Sequence, residues 1–218
     1  MTCQYICLEG GEGTYKTTTV KALARYYRDK GLRVLTTKEP GSDLLPLTMK
    51  LREIMLSNEF DDQLTPASRE LISQAIRSIH IEKLIIPSVL SGEWDMIIQD
   101  RGILSGRIYA DACGISPYHV ENLEDFIMED FYQRWDICYD HVFVFHNDGG
   151  LELATSVKNE FGVGDAMESR GNAFHEKVDE SFKKVQLDAF TSYTLSHHDV
   201  AGKTTEQIVE ECSKILSL

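Results

Sequence analysis

The chain has 218 residues, 42% hydrophobic and 26% charged, which suits one globular domain with a packed core, or one domain with a lid. Its formal net charge of -13 excludes broad attraction to duplex DNA or an anionic membrane. It leaves room for a few local cations that bind phosphate.

The five cysteines, Cys3, Cys7, Cys113, Cys138 and Cys212, are odd in number and irregular in spacing. Neither a disulfide framework nor a zinc site is expected, and a reduced, cytoplasmic setting is. The start of the chain passes directly into an apolar run and a glycine-rich loop, and does not read as a signal peptide. No stretch approaches the ~18 apolar residues of a transmembrane helix.

In chain order, Tyr5 to Leu8 predicts a buried strand that ends at Glu9 and enters a loop at Gly10-Gly11. Lys16 to Lys30 predicts a helix stopped by Gly31. Arg33 to Thr37 predicts a second strand, closed by Glu39-Pro40-Gly41. Leu44 to Leu56 is helical in pattern. Pro66 opens a long helix with Leu71, Ile72, Ile76 and Ile79 on one stripe, and Pro87 is expected to kink or shorten its end. Trp94 to Gln99 predicts a third strand with Asp100-Arg101 just beyond it. His141 to Phe145 and Tyr193 to Val200 predict a fourth and a fifth strand, and Thr204 to Leu218 a last helix. Strands alternating with helices imply an α/β fold with a parallel sheet, whose ligands bind beyond the carboxyl ends of the strands.

Residues Gly10-Gly11-Glu12-Gly13-Thr14-Tyr15-Lys16-Thr17 nearly match G-x-x-x-x-G-K-[ST], between a predicted strand and a predicted helix. In such a loop bare backbone amides wrap phosphates, the lysine neutralises them, and the threonine hydroxyl holds Mg2+. Tyr15 stands where the pattern has glycine, and its side chain must point away from the phosphates. Ala201-Gly202-Lys203-Thr204-Thr205 also reads G-K-T, but His197 stands where the loop's first glycine should be. A helix start capped near Thr204 is the better reading there. Taken as residues alone, Lys16-Thr17 is also a capped helix start, Asp100-Arg101 a surface ion pair, Arg77 a snorkelling arginine and Tyr109 a core residue. Their order and placement at strand ends favour phosphate chemistry. His197-His198 and the Cys3/Cys7 pair lack partners at metal-ligand spacing.

With the loop placed, nearly the whole chain resembles the thymidylate kinase family. The resemblance rests on Glu9 to Thr18, Thr37-Lys38-Glu39-Pro40-Gly41, Leu51 to Leu56, Ile81 to Gly92, and Asp100-Arg101 with Ser105 and Tyr109 at matching spacing. Asp165-Ala166-Met167-Glu168, followed by Phe174 and Val178, is similar to the family's lid. The resemblance implies a P-loop NTPase fold: a five-stranded parallel sheet flanked by helices, with a phosphate loop at 10–17 and a lid at about 159–172 of one domain, 1–218. It implies a homodimer that transfers a phosphoryl group from ATP, with Mg2+, to a nucleoside monophosphate, dTMP being favoured. Lys16, Thr17 and Thr18 then hold the ATP phosphates and the metal, within a loop of Gly10, Gly11, Glu12, Gly13, Thr14 and Tyr15. Arg101 bridges donor and acceptor, Asp100 supports the metal, and Glu12 lies near the acceptor sugar. Glu39, Arg52, Ser105 and Gly106 line the monophosphate pocket. Arg77 reads the base and Tyr109 packs on the deoxyribose. A tight turn such as Lys38-Glu39-Pro40 is a place for a cis proline.

Three departures from the family pattern bear on this. Ser73 replaces a base-stacking phenylalanine, Ala110 replaces a glutamine, and Ala166 replaces a lid arginine, for which Arg170 and then Lys158 are the nearest substitutes. The first two leave dUMP, a modified pyrimidine or several deoxynucleotides open as acceptors. A deoxyribonucleoside kinase with Glu39 as base, or a nucleotide-binding module without transfer chemistry, are the rival readings.

Overall fold

In a computed structural model of the chain, the described residues are 3–129, 134–148, 166–186 and 193–216. Lys158, Asp165 and the part of the expected lid at 159–165 lie outside them. Strands β1 (Gln4–Gly10), β2 (Val34–Lys38), β3 (Met96–Asp100), β4 (His141–His146) and β5 (Thr194–Asp199) form one parallel sheet in the order β2-β3-β1-β4-β5. This is the predicted α/β sheet of the P-loop NTPase fold.

The apolar runs make these strands because both sheet faces are covered, which removes any need for polar alternation. Alternate side chains of β1 go to opposite sides. Tyr5 and Cys7 join one cluster with Ile97, Val142, Val144 and Phe182. Ile6 and Leu8 join the other with Leu23, Tyr27, Ile98, Phe143 and Ile208. The second layer is supplied by α1 (Lys16–Asp29) and the C-terminal helix, here α8 (Thr205–Leu216). Each fully buried Leu or Ile side chain contributes about 1.5–3 kcal/mol by removal from water.

Register decides where function can sit. Leu8 pairs with both Asp100 and Phe143, and Lys38 pairs with Asp100. The ends of β1, β2 and β3 therefore reach one edge together. The phosphate loop, the Glu39-Pro40 turn and Asp100-Arg101 all leave the sheet there.

The remaining helices wall this edge. They are α2 (Pro46–Leu56), α3 (Pro66–His80), α4 (Ile86–Leu90), α5 (Ile103–Ala112), α6 (Pro117–Glu129) and α7 (Asn172–Lys184). Prolines open α2, α3 and α6, where a missing N–H costs no hydrogen bond. Thr65 caps α3, its hydroxyl accepting from the Ser68 amide at 3.1 Å. Before Pro87 the helix widens into a π turn, Ile81–Ile85, and then continues as α4. Pro87 can donate no hydrogen bond to the turn before it, and the wider turn accommodates that loss. At the second G-K-T, Thr204 and Gln207 exchange side-chain-to-amide bonds at 3.3 and 2.9 Å, a capping box that opens α8.

Candidate functional site: a phosphate loop joined to an acceptor cleft

Beyond β1 the backbone must turn under the end of β4. Gly10, at φ 144, does so with a hypothetical Cβ 2.4 Å from the Phe145 carbonyl oxygen, so no larger residue fits. At Gly11 a Cβ would meet the Asp179 carboxylate of α7, which seats that helix against the loop. Asn147, just after β4, donates to the Gly13 carbonyl at 2.8 Å. Tyr15 is left-handed, at φ 58, and immediately precedes α1. That conformation costs a non-glycine residue about 1–2 kcal/mol. The residue is 39% exposed at the cleft wall, so the loop tolerates the side chain by leaving it open to solvent.

Lys16 is buried, and its ammonium donates to the Gly11 carbonyl and, at 2.9 Å, to the Thr14 hydroxyl. Burial pulls its pKa down to about 7, with Arg101 adding to the effect against Glu12, Asp100 and Glu9. An anion drawn into the loop would remove that penalty. Thr17 and Thr18 lie in the first turn of α1 on the cleft wall, and the Thr17 hydroxyl donates to Asp100 at the end of β3. A hydroxyl and a carboxylate in contact beside a lysine form a hard-oxygen set that suits Mg2+.

Arg101 is left-handed as well, at φ 63, which turns its side chain back over the phosphate loop. Its guanidinium donates to the Gly10 carbonyl at 3.0 Å, the Ser105 hydroxyl at 3.2 Å and Glu12 Oε1 at 2.9 Å. The Tyr109 hydroxyl donates to the same Glu12 oxygen at 3.1 Å, and its ring lies 5.3 Å from the guanidinium carbon. Beneath them Glu9 is fully buried and accepts from the Gly102 amide at 2.8 Å, the Ser105 amide at 3.2 Å and the Ser105 hydroxyl. Burial pushes the Glu9 carboxyl up; those bonds and Arg101 pull against it.

The other half of the site is built on a buried ion network. Glu39 follows β2 across a cis peptide to Pro40, as the turn predicted. Its carboxylate accepts from Arg77 Nε at 3.0 Å and pairs with His80 Nδ1 at 2.9 Å. Arg77 also donates to Glu124 of α6 at 3.0 Å, to Gln74 at 3.2 Å and to the Gly102 carbonyl at 3.3 Å. Burial pushes the Glu39 carboxyl up, but Arg77 and His80 outweigh it and hold it at about 2. So weak a base is poorly matched to taking a proton from a hydroxyl near neutral pH. Gly106 leaves room for this arginine: a Cβ there would stand 2.4 Å from Arg77 Nη2. Arg52 donates to the Pro40 carbonyl at 2.7 Å.

Both halves open into one cavity of about 490 Å3. Its walls include Glu12 to Thr18, Glu39, Arg52, Ser73, Arg77, Asp100, Arg101, Ser105, Gly106 and Tyr109, whereas Gly10 and Gly11 lie outside them. Arg170 is not in that wall. It is exposed, with its guanidinium 5.4 Å over the Phe174 ring, while nearby Met167 and His175 do face the cavity. Ala166 is buried and donates its amide to the Leu56 carbonyl at 2.9 Å, which ties the chain before α7 to the end of α2.

Sequence reasoning missed Arg69 and Glu70, which line the cavity one and two turns before Ser73 and Arg77. Their spacing along α3 was the available signal. It missed Glu124 and His80 as partners of the ion network, for which no local pattern exists.

A glycine-rich loop at a helix start, a buried lysine and a paired hydroxyl and carboxylate define a P-loop enzyme whose phosphate loop opens onto a second, polar pocket. Residues 8–137 match the family model described as Thymidylate kinase. Thymidylate kinase from Magnetococcus marinus is 31% identical, over 82% of this chain and 80% of its own length. That from Protochlamydia amoebophila is 26% identical, over 94% and 90%. The solved structure of thymidylate kinase from Candida albicans shares the fold at a TM-score of 0.71, covering 99% of this chain and 92% of that one at 24% identity. The chain belongs to the thymidylate kinase family of nucleoside monophosphate kinases.

Replacing Arg77 with Met should strand the buried Glu39 carboxylate and destabilise the fold by about 3–5 kcal/mol in urea unfolding. A loss below about 1 kcal/mol would put the pair in the class of exposed ion pairs.

Proposed function

We propose that the chain transfers the γ-phosphoryl group of ATP to dTMP, giving dTDP and ADP. The observation that supports this most is the single cavity in which Arg101 stands between the Lys16 loop and the Glu39–Arg77 pocket. The acceptor is itself a phosphate, largely ionised at neutral pH, so its oxygen attacks without a strong general base. Position and positive charge are then the main requirements. Lys16 and the loop amides hold the donor phosphates, and Arg101 spans donor and acceptor with its planar fork. Thr17 and Asp100 would hold Mg2+, which when bound offsets charge on the transferring phosphates. Arg52, Ser105 and Tyr109 position the acceptor, and Arg77 with Ser73 borders its base. Arg170, beside the cavity residue Met167, supplies a further cation to the transferring phosphates.

We place the enzyme in the cytoplasm as a single domain acting in a homodimer. Among the described residues no helix is long and apolar enough to cross a membrane. Leu47 of α2, Leu71 of α3 and Phe126 of α6 are 57%, 57% and 82% exposed, which suits a covered face on adjoining helices. Sedimentation should give twice the chain mass, and Phe126→Glu should halve it; a monomeric wild type would contradict this.

Chromatography of a reaction with ATP, Mg2+ and dTMP should show dTDP and ADP in equal amounts, with thymidine left unphosphorylated. Lys16→Ala should lower kcat by about 10²–10³-fold in a folded protein. Near wild-type turnover in that variant would mean the loop is misassigned. In the same assay Arg170→Ala should lower kcat more than it raises KM for dTMP. An unchanged kcat returns Arg170 to an exposed surface role.

The Lys16 ammonium gives a pH signature. Its pKa is about 7 in the free protein, and bound phosphate raises it. The lysine's contribution to binding is thus fully present below about pH 7 and fades as pH rises through the bound-state value. Calorimetry near pH 8 in buffers of different ionisation enthalpy should show proton uptake on ATP binding; equal heats in all buffers would contradict it.

A further inference from the structure

One face of α3 looks into the cavity through Arg69, Glu70, Ser73 and Arg77. At its inner end the Arg77 guanidinium is engaged by Glu39, Glu124, Gln74 and the Gly102 carbonyl. Gln74 carries this network along the helix. It accepts from Arg77 at 3.2 Å and donates to Glu70 Oε1 at 2.6 Å, so the sense of its amide is fixed. Gln74 is the hydrogen-bond partner of Glu70 among the described residues, and it occupies one of the two carboxylate oxygens. Glu70 is 8% exposed, and what it exposes faces the cavity. Burial pushes its carboxyl up, while Gln74 and Arg77 oppose that.

Beside it Arg69 is 5% exposed. Its terminal nitrogens donate to the Met55 carbonyl and to Asp61, but among the described residues its buried Nε–H has no partner. An orphaned buried donor costs about 1–3 kcal/mol, which a ligand carbonyl would recover. Ser73 presents a hydroxyl that donates or accepts as required.

An acceptor oxygen beside an unpartnered N–H is complementary to a base edge with a donor next to an acceptor: the 4-amine and N3 of cytosine, or N3–H and O4 of thymine. A carboxylate facing position 4 accepts from the cytosine amine, whereas an O4 carbonyl there sets lone pair against lone pair, so an oxopyrimidine must offer it N3–H instead. We infer that Glu70 and Arg69 form the base-reading wall of the acceptor pocket, and that they admit aminopyrimidine deoxynucleoside monophosphates of the dCMP class beside dTMP. This rests on the phosphoryl-transfer reading above and extends it to the choice of acceptor.

The test is kcat/KM for dCMP and for dTMP in the wild type, Glu70→Ala and Glu70→Gln. In the wild type dCMP should fall within about tenfold of dTMP. Glu70→Ala should lower the dCMP-to-dTMP ratio by about tenfold or more, chiefly through KM for dCMP. Glu70→Gln keeps the side chain's shape and the bond from Gln74 but turns an N–H toward the base, and should move the ratio the same way. A purely structural Glu70 would lower both acceptors equally, and an unchanged ratio in both variants would overturn the inference. So would dCMP turnover below about a hundredth of that with dTMP, which leaves dTMP phosphorylation standing. Turnover with neither acceptor would overturn both readings.

Discussion

The buried Glu9 carboxylate, at the end of the central strand, accepts from the Gly102 and Ser105 amides and the Ser105 hydroxyl, and so fixes where α5 begins. Because β1 lies between β3 and β4 in register, that one carboxylate joins the strand feeding the phosphate loop to the helix that walls the polar pocket beside it. Arg101, in the short link between β3 and α5, is thereby held over the Gly10 carbonyl and against Glu12. A buried carboxylate with several donors aimed at it is stabilising only while all of them stay in place, so the two half-sites cannot drift apart independently.

A second buried network does the same for the pocket beside the loop. Arg77 ties Glu39, from the end of β2, to Glu124 on α6, and Gln74 extends the chain of bonds to Glu70. Burying these charges confers little stability over a well-packed apolar core, since desolvation offsets most of the attraction. What they supply is a pocket whose polar groups are already oriented when a ligand arrives, which lowers the ordering cost of binding. The phosphate loop shows the converse. Lys16 waits on the loop's own carbonyl and hydroxyl, buried and near its point of neutrality, and an incoming phosphate is its better partner.

Much of this could be read in the chain because strand-end positions are local. Glu9-Gly10, Glu39-Pro40 and Asp100-Arg101 each follow an apolar run, and a parallel sheet brings such ends to one edge whatever the connections. The strand order itself, the π turn before Pro87 and the partners of Arg77 could not be read this way. Glu124 stands 47 residues from Arg77, and nothing local distinguishes it from a solvated helix glutamate. Arg69 and Glu70 look like an ordinary charged turn until the face of α3 is known. The catalytic lid reading falls largely on residues outside those described, and of its named cations only Arg170 lies within them, exposed over Phe174.

The central claim is that donor and acceptor share one cleft, with Arg101 between them. The most direct test is inhibition by a dinucleotide in which adenosine and thymidine are joined through their 5′ positions by a five-phosphate bridge. The account predicts that it competes with both ATP and dTMP and binds far more tightly than either alone, as a molecule spanning both half-sites should. Competition with only one substrate, at that substrate's own affinity, would contradict a shared cleft.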